Sequence, residues 1–200
     1  LTANRIEWIA GIINGTTNFI LSEMRDKGLD FATVLKRAQE LGYAEADPTF
    51  DVDGIDAGHK LAILTSIAFG TEINVDAIYV EGIRSISLAD IKAADELGYR
   101  IKLLGVARRT DTGIEARVHP TMVPQGSAVA ETSGVLNAVA LDGDALGEVV
   151  LVGPGAGGKA TASSVIADIV DVARGHRTAV FGLPVDDLAP YQRAEIQTHK

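Results

Sequence analysis

Arg100 to Val123 reads RIKLLGVARRTDTGIEARVHPTMV, two strand-like runs on either side of Asp111-Thr112-Gly113. Aliphatic and β-branched residues recur through Arg100–Arg109 and Ile114–Val123, and the Asp and Gly between them suit a tight reversal, so the stretch predicts a β-hairpin. Val135–Leu141 and Leu146–Val152 repeat the pattern around Asp142-Gly143-Asp144. Two such hairpins do not fit a purely parallel sheet. The expected fold is therefore α+β, a mixed, largely antiparallel sheet covered by helices.

Outward from the hairpins, the remaining elements follow from periodicity and caps. Ile6, Trp8 and Ala10 alternate with Arg5, Glu7 and Ile9, a half-buried strand running into a turn at Asn14-Gly15. Thr16 or Thr17 is the expected cap of a helix bearing Phe19, Ile20, Leu21 and Met24, with Gly28 as its stop. Asp30 caps a second helix that ends at Gly42, Asp53 is expected to open a third running to about Ile67, and Ile73–Ile83 reads as a strand. Ser87 caps Leu88–Leu97. ELGY at Glu40–Tyr43 and again at Glu96–Tyr99 marks two helix ends and no longer repeat. Trp8, Phe19 and Phe50 are assigned to the core or its margin.

Composition narrows the function classes. The 200 residues hold 27 acidic and 18 basic side chains, a net charge of -9, with no basic block, which argues against nucleic acid as a partner. Zero cysteines leave neither disulfides nor thiolate metal sites and fit a reducing, cytoplasmic setting. Leu61–Phe69, the longest apolar candidate for a membrane span, is broken by Thr65 and Ser66. The first residues lack both Met and the order of a signal peptide, so a piece of a longer protein is expected.

Two stretches hold the chemistry. Gly42–Lys60, GYAEADPTFDVDGIDAGHK, packs Glu45, Asp47, Asp51, Asp53 and Asp56 into twelve residues before His59 and Lys60. On a helix Asp56 and Lys60 stand four apart on one face: either an exposed ion pair, or a carboxylate keeping an ammonium charged for proton donation. The EF-hand pattern fails at Asp47 and at Asp51, and His59 has no second His at metal spacing, so no metal site is expected. The other stretch, GPGAGGKATASS from Gly153, spells both G-x-G-x-x-G and G-x-x-x-x-G-K. Ala160 stands where a phosphate loop needs Ser or Thr, and no acid ends a second strand about 20 residues on. The loop reads either as a rim approaching a cofactor held elsewhere or as a plain strand-to-helix turn. Asn14-Gly15-Thr16-Thr17 reads as a turn plus a cap, whose amides could also take a substrate carboxylate.

GIINGTTNFIL, GYAEADPTFDVDGIDAGHKLAIL and GPGAGGKATASSVIADIV together resemble the catalytic region of homoserine dehydrogenase, from about residue 5 to about 185. The resemblance implies reversible reduction of L-aspartate 4-semialdehyde to L-homoserine with NADP or NAD. It implies Lys60 as proton donor, and Glu45 and Asp56 as the acids around the substrate's amino group. Asp51, Tyr43, Gly15 and Thr16 match further substrate positions, and Gly42, Gly155 and Gly157 match places near the cofactor. It also implies a homodimer formed through the sheet, and an N-terminal dinucleotide-binding domain, a basic residue and a sodium-holding loop that this sequence does not contain. Without that domain the chain is expected to be inactive. The expected division is 1–152 for substrate binding and dimerisation, 153–182 for the glycine loop and a helix packing toward the cofactor domain, and 183–200 for a linker or tail. The alternatives are a non-catalytic amino-acid-binding or dimerisation module, and a phosphate-loop nucleotide-binding protein.

Overall fold

The computed structural model describes residues 3–194. Six strands form one sheet in the order β2-β4-β3-β1-β5-β6. They are β1 (Ile6–Ile12), β2 (Tyr79–Val80), β3 (Tyr99–Thr110), β4 (Gly113–Pro124), β5 (Leu136–Gly143) and β6 (Gly147–Pro154). Both expected hairpins are present as β3–β4 and β5–β6, and β1 lies between them, antiparallel to β3 and β5. Only β2 runs parallel to its neighbour, so the sheet is mixed and largely antiparallel.

The period-2 alternation of the strands sorts their side chains between two faces. Ile9, Leu103, Ala107, Ala116, Val118 and Leu141 enter the main core under α1 (Gly15–Lys27), α2 (Phe31–Glu40), α4 (Ile55–Phe69) and α5 (Leu88–Glu96). Ile12, Leu104, Ala138 and Ala140 face the other way, where among the described residues the short α6 (Ala128–Glu131) packs on them and Trp8, Val106 and Val150 stay half-buried. Among the described residues no helix is long and apolar enough to cross a membrane.

The caps refine several boundaries. The Oδ1 of Asn14, not Thr16 or Thr17, caps α1 by accepting the Thr17 amide at 2.9 Å. Asp30 and Ser87 cap α2 and α5 as expected, Ser87 in a reciprocal box with Asp90. Gly42 and Gly98 end both ELGY helices at φ of 75° and 82°. Asp53 does not open α4: it closes a one-turn helix, α3 (Thr49–Val52), and Gly54 opens α4 at a φ of 82°, which frees the Asp53 carboxylate to take Arg84 at 2.5 Å. Of Ile73–Ile83, only Tyr79 and Val80 pair as a strand.

Phe50 is not core but 50% exposed, meeting His59 edge-on with ring centroids 5.4 Å apart. β6 continues through Pro154, past the boundary expected at 152, and leads into α7 (Gly158–Ala173), none of whose residues is buried. The segment expected as a loose tail is tied down over its described part. Ala189 exchanges backbone hydrogen bonds with Gly70 and Glu72, Gln192 and Ala194 flank Ile114 in the same way, and Ala194 is buried. The backbone of Gly113 lies so close to Gln192 that no Cβ would fit there. Residues 195–200 lie outside the described residues.

Candidate active site

β1 ends at Ile12, and two residues later Asn14 starts α1, so its side chain stands where strand and helix meet the first turn of α4. The buried Asn14 amide donates to Asp51 Oδ1 at 2.7 Å and to Asp56 Oδ2 at 2.9 Å. Lys60 Nζ donates to the same Asp56 oxygen at 2.7 Å and to the Ile13 carbonyl at 3.2 Å. An ammonium has three N–H donors, so one of Lys60's is left without a partner among the described residues, and Lys60 lines an open cavity. The i,i+4 spacing read from the sequence thus forms one link in a chain Asp51–Asn14–Asp56–Lys60.

The cavity measures about 470 Å³. Its walls bring together Lys60, Asp56, Asp51, Tyr43, Gly15, Thr16, Gly42, Gly155 and Gly157. Thr16 Oγ1 donates to the Tyr43 carbonyl at 2.7 Å, holding the α2–α3 loop against the start of α1, while the Tyr43 ring packs edge-on to Phe19. Glu45 is not part of this cavity. Its backbone carbonyl accepts from Gln39 at 3.0 Å, and its exposed side chain borders a separate shallow groove with Gln39 and Ala46. Gly42 lies on the wall between the two.

Asn14, Val135 and Asn137 are lining residues to which sequence reasoning gave no site role. The Asn-Gly-Thr-Thr signal was legible as a turn, a cap and amides open to a carboxylate, with the cap given to Thr16 or Thr17 although Asn ranks among the best N-caps. Asn137, on β5, gave no signal at all. Its side chain fills the space a Cβ at Gly155 would need, and its Oδ1 is buried without a hydrogen-bond partner. Glycine at 155 therefore lets the loop backbone close over the cavity, and Gly157, at a φ of 117°, turns it into α7. The resulting rim is backbone without bulky side chains. Lys159 does not line the cavity, and the loop follows an edge strand of an antiparallel hairpin, unlike the parallel β-loop-α unit of phosphate loops. Among the described residues no group of three or more His, Cys, Asp and Glu side chains is placed to hold a metal.

A carboxylate-held ammonium and a glycine loop lining one open cavity make up a candidate enzyme site. The comparisons give this class a family. The model of the homoserine dehydrogenase family matches residues 1–170. Homoserine dehydrogenases of Pseudomonas aeruginosa and Neisseria gonorrhoeae are 63% and 62% identical over 174 residues, 87% of this chain and 40% of each relative. The crystal structure of a homoserine dehydrogenase from Thiobacillus denitrificans superposes with a TM-score of 0.86 at 61% identity, over 88% of this chain and 41% of that one. A hyperthermophilic archaeal homoserine dehydrogenase in complex with NADPH gives 0.74 at 31% identity, over 88% and 50%. The chain belongs to the homoserine dehydrogenase family, whose members are oxidoreductases, and it spans about two fifths of the curated relatives it matches.

Proposed function

We propose that this chain is the substrate-binding and proton-transferring part of a longer enzyme that interconverts L-aspartate 4-semialdehyde and L-homoserine. The observation that carries the reading is the Asp51–Asn14–Asp56–Lys60 chain lining one cavity together with the Gly155–Gly157 rim. NADP or NAD, lying along that rim and Gly42, would supply or take up the hydride at the substrate's terminal carbon. Lys60 gives a proton to the carbonyl oxygen as that oxygen becomes negative: its N–H bond breaks as the new O–H bond forms, and the reverse reaction returns the proton. Asp56 holds the Lys60 ammonium in position through their 2.7 Å contact. Asp51, with one carboxylate oxygen tied to Asn14, would accept from the substrate's ammonium through the other. The free amides at the start of α1, Gly15 and Thr16, suit its carboxylate.

This leaves Glu45 outside the first contacts with a small substrate. The half-covered face of the sheet, with Trp8, Val106 and Val150, suits a second copy of the chain, consistent with a homodimer. The test is Lys60→Ala in the full-length protein, with turnover and homoserine binding measured side by side. Lost turnover with binding retained supports the reading, and intact turnover removes Lys60 as proton donor. Magnesium-dependent binding of ATP would favour the phosphate-loop alternative.

A further inference from the structure

Lys102 is the largest of the fully buried side chains, 1% exposed. Its Nζ donates to Asn18 Oδ1 at 3.0 Å and to the Thr132 carbonyl at 2.6 Å, both neutral acceptors. Arg25, Glu131, Arg100 and Asp26 surround it without a hydrogen bond to its ammonium, and burial pulls its pKa down to about 8. A buried cation without a carboxylate partner destabilises a fold, and such groups concentrate where function needs them.

The partners of Lys102 lead to the site. Asn18, one turn along α1 from Asn14, also donates to the carbonyls of Thr132 and Leu136, at 3.2 and 3.0 Å. Between those two anchors, Ser22 Oγ accepts the Gly134 amide at 3.3 Å and Arg25 donates to Ser133 Oγ at 3.3 Å. The loop from Thr132 to Leu136 is thereby laid along α1, and the Val135 carbonyl would stand 2.8 Å from a Cβ at Gly15. Val135 and Asn137 line the same cavity as Asp56 and Lys60.

We infer that Lys102 is a positioning residue: through Asn18 and the Thr132 carbonyl it sets the Thr132–Asn137 wall against the start of α1, and so fixes the width of the substrate cavity. The inference rests on the proposed substrate site. Lys102 touches neither the cavity nor a reacting atom, so its removal changes how substrate is held and leaves the proton donor in place.

The experiment uses the full-length protein and begins with wild-type turnover of homoserine, whose absence would sink the proposed function alone. Lys102→Met is expected to raise KM for homoserine about tenfold with kcat within about twofold, and Lys102→Arg to restore KM in part. Amide hydrogen exchange of residues 133–137 is expected to speed up at least about tenfold in Lys102→Met, with the middle of α4 unchanged. This second readout stands whether or not the protein turns over homoserine. Asn18→Ser, which breaks the same link from α1, is expected to give the same KM and exchange changes, and serves if Lys102→Met does not fold. Unchanged KM with unchanged exchange in the folded variant overturns the inference, as does a loss confined to kcat.

Discussion

The Asn14 amide and Lys60 ammonium converge on one oxygen, Asp56 Oδ2, from 2.9 and 2.7 Å. The pairing gives Asp56 two donors and lets Asn14 keep Asp51 beside Asp56 despite their like charges. Asn14 is also the cap of α1, so one side chain couples helix stability to site geometry.

Asn14→Ser separates these duties. Serine still caps α1 but is too short to reach Asp51 and Asp56, so unfolding free energy is expected to stay within about 0.5 kcal/mol of wild type. Turnover in the full-length enzyme is expected to fall about tenfold or more, because the two acids lose the donor that holds them. Asn14→Ala is expected to lose about 1 kcal/mol in addition, the usual contribution of an N-cap. Denaturant titrations paired with steady-state kinetics check both variants.

Lys60→Met removes the proposed proton donor from a half-exposed position, where the ion pair with Asp56 adds at most about 1 kcal/mol to stability. The expected loss in kcat is about 10²–10⁴-fold with the melting temperature nearly unchanged. Asp56→Asn is expected to act in the same direction and more mildly, costing activity more than stability. Equal rates and equal unfolding midpoints for Asp56→Asn and wild type would exclude the role given to Asp56.

Gly155→Ala places a methyl group against the Asn137 amide. The rim must shift, and KM for the nicotinamide cofactor is expected to rise about tenfold while homoserine binding changes less. Gly155→Ala combined with Asn137→Ala makes room for the methyl group and is expected to recover part of the loss. Cofactor titrations of the two variants decide it.

Lys102 sets a pH dependence whose direction follows from its lowered pKa. Below about pH 8 the folded protein holds a buried charge, whereas the unfolded chain keeps its proton up to about 10.5. Between those values the unfolded state binds more protons, so the Lys102 contribution to stability improves as pH rises. The difference between Lys102→Met and wild type is therefore expected to shift by roughly 1–3 kcal/mol in favour of wild type from pH 8 to 10.5, checked by guanidinium unfolding at the two ends.

Periodicity carried the architecture because the strands obey it closely: Ile9, Leu103, Ala107 and Leu141 alternate with Trp8, Leu104, Val106 and Ala140 across one sheet. It failed where the answer lay in distant neighbours. Lys102 reads as a polar position on a strand, and only α1 and the Thr132 loop, arriving from 84 residues before and 30 after, bury it. Asp53 reads as a cap, yet Gly54 takes the helix start and Arg84 takes the carboxylate. Glu45 lies two residues from Tyr43, but Gln39 pins its backbone on the far side of Gly42. Short motifs reveal which residues share a neighbourhood, and the turns between them decide which side each presents.

The docking of Ala189–Ala194 onto Gly70, Thr71 and Ile114 bears on where the chain can be cut. Tyr191 packs against the main core and Ala194 seals its edge beside Ile114. A shortened version ending at the glycine after Phe181 would lose that seam and wet the base of α4, whose opposite end presents Asp56 and Lys60. An expression boundary, fusion joint or protease site placed between residues 182 and 194 would break this seam, even though Pro184 and Pro190 make that stretch read as a stopping place.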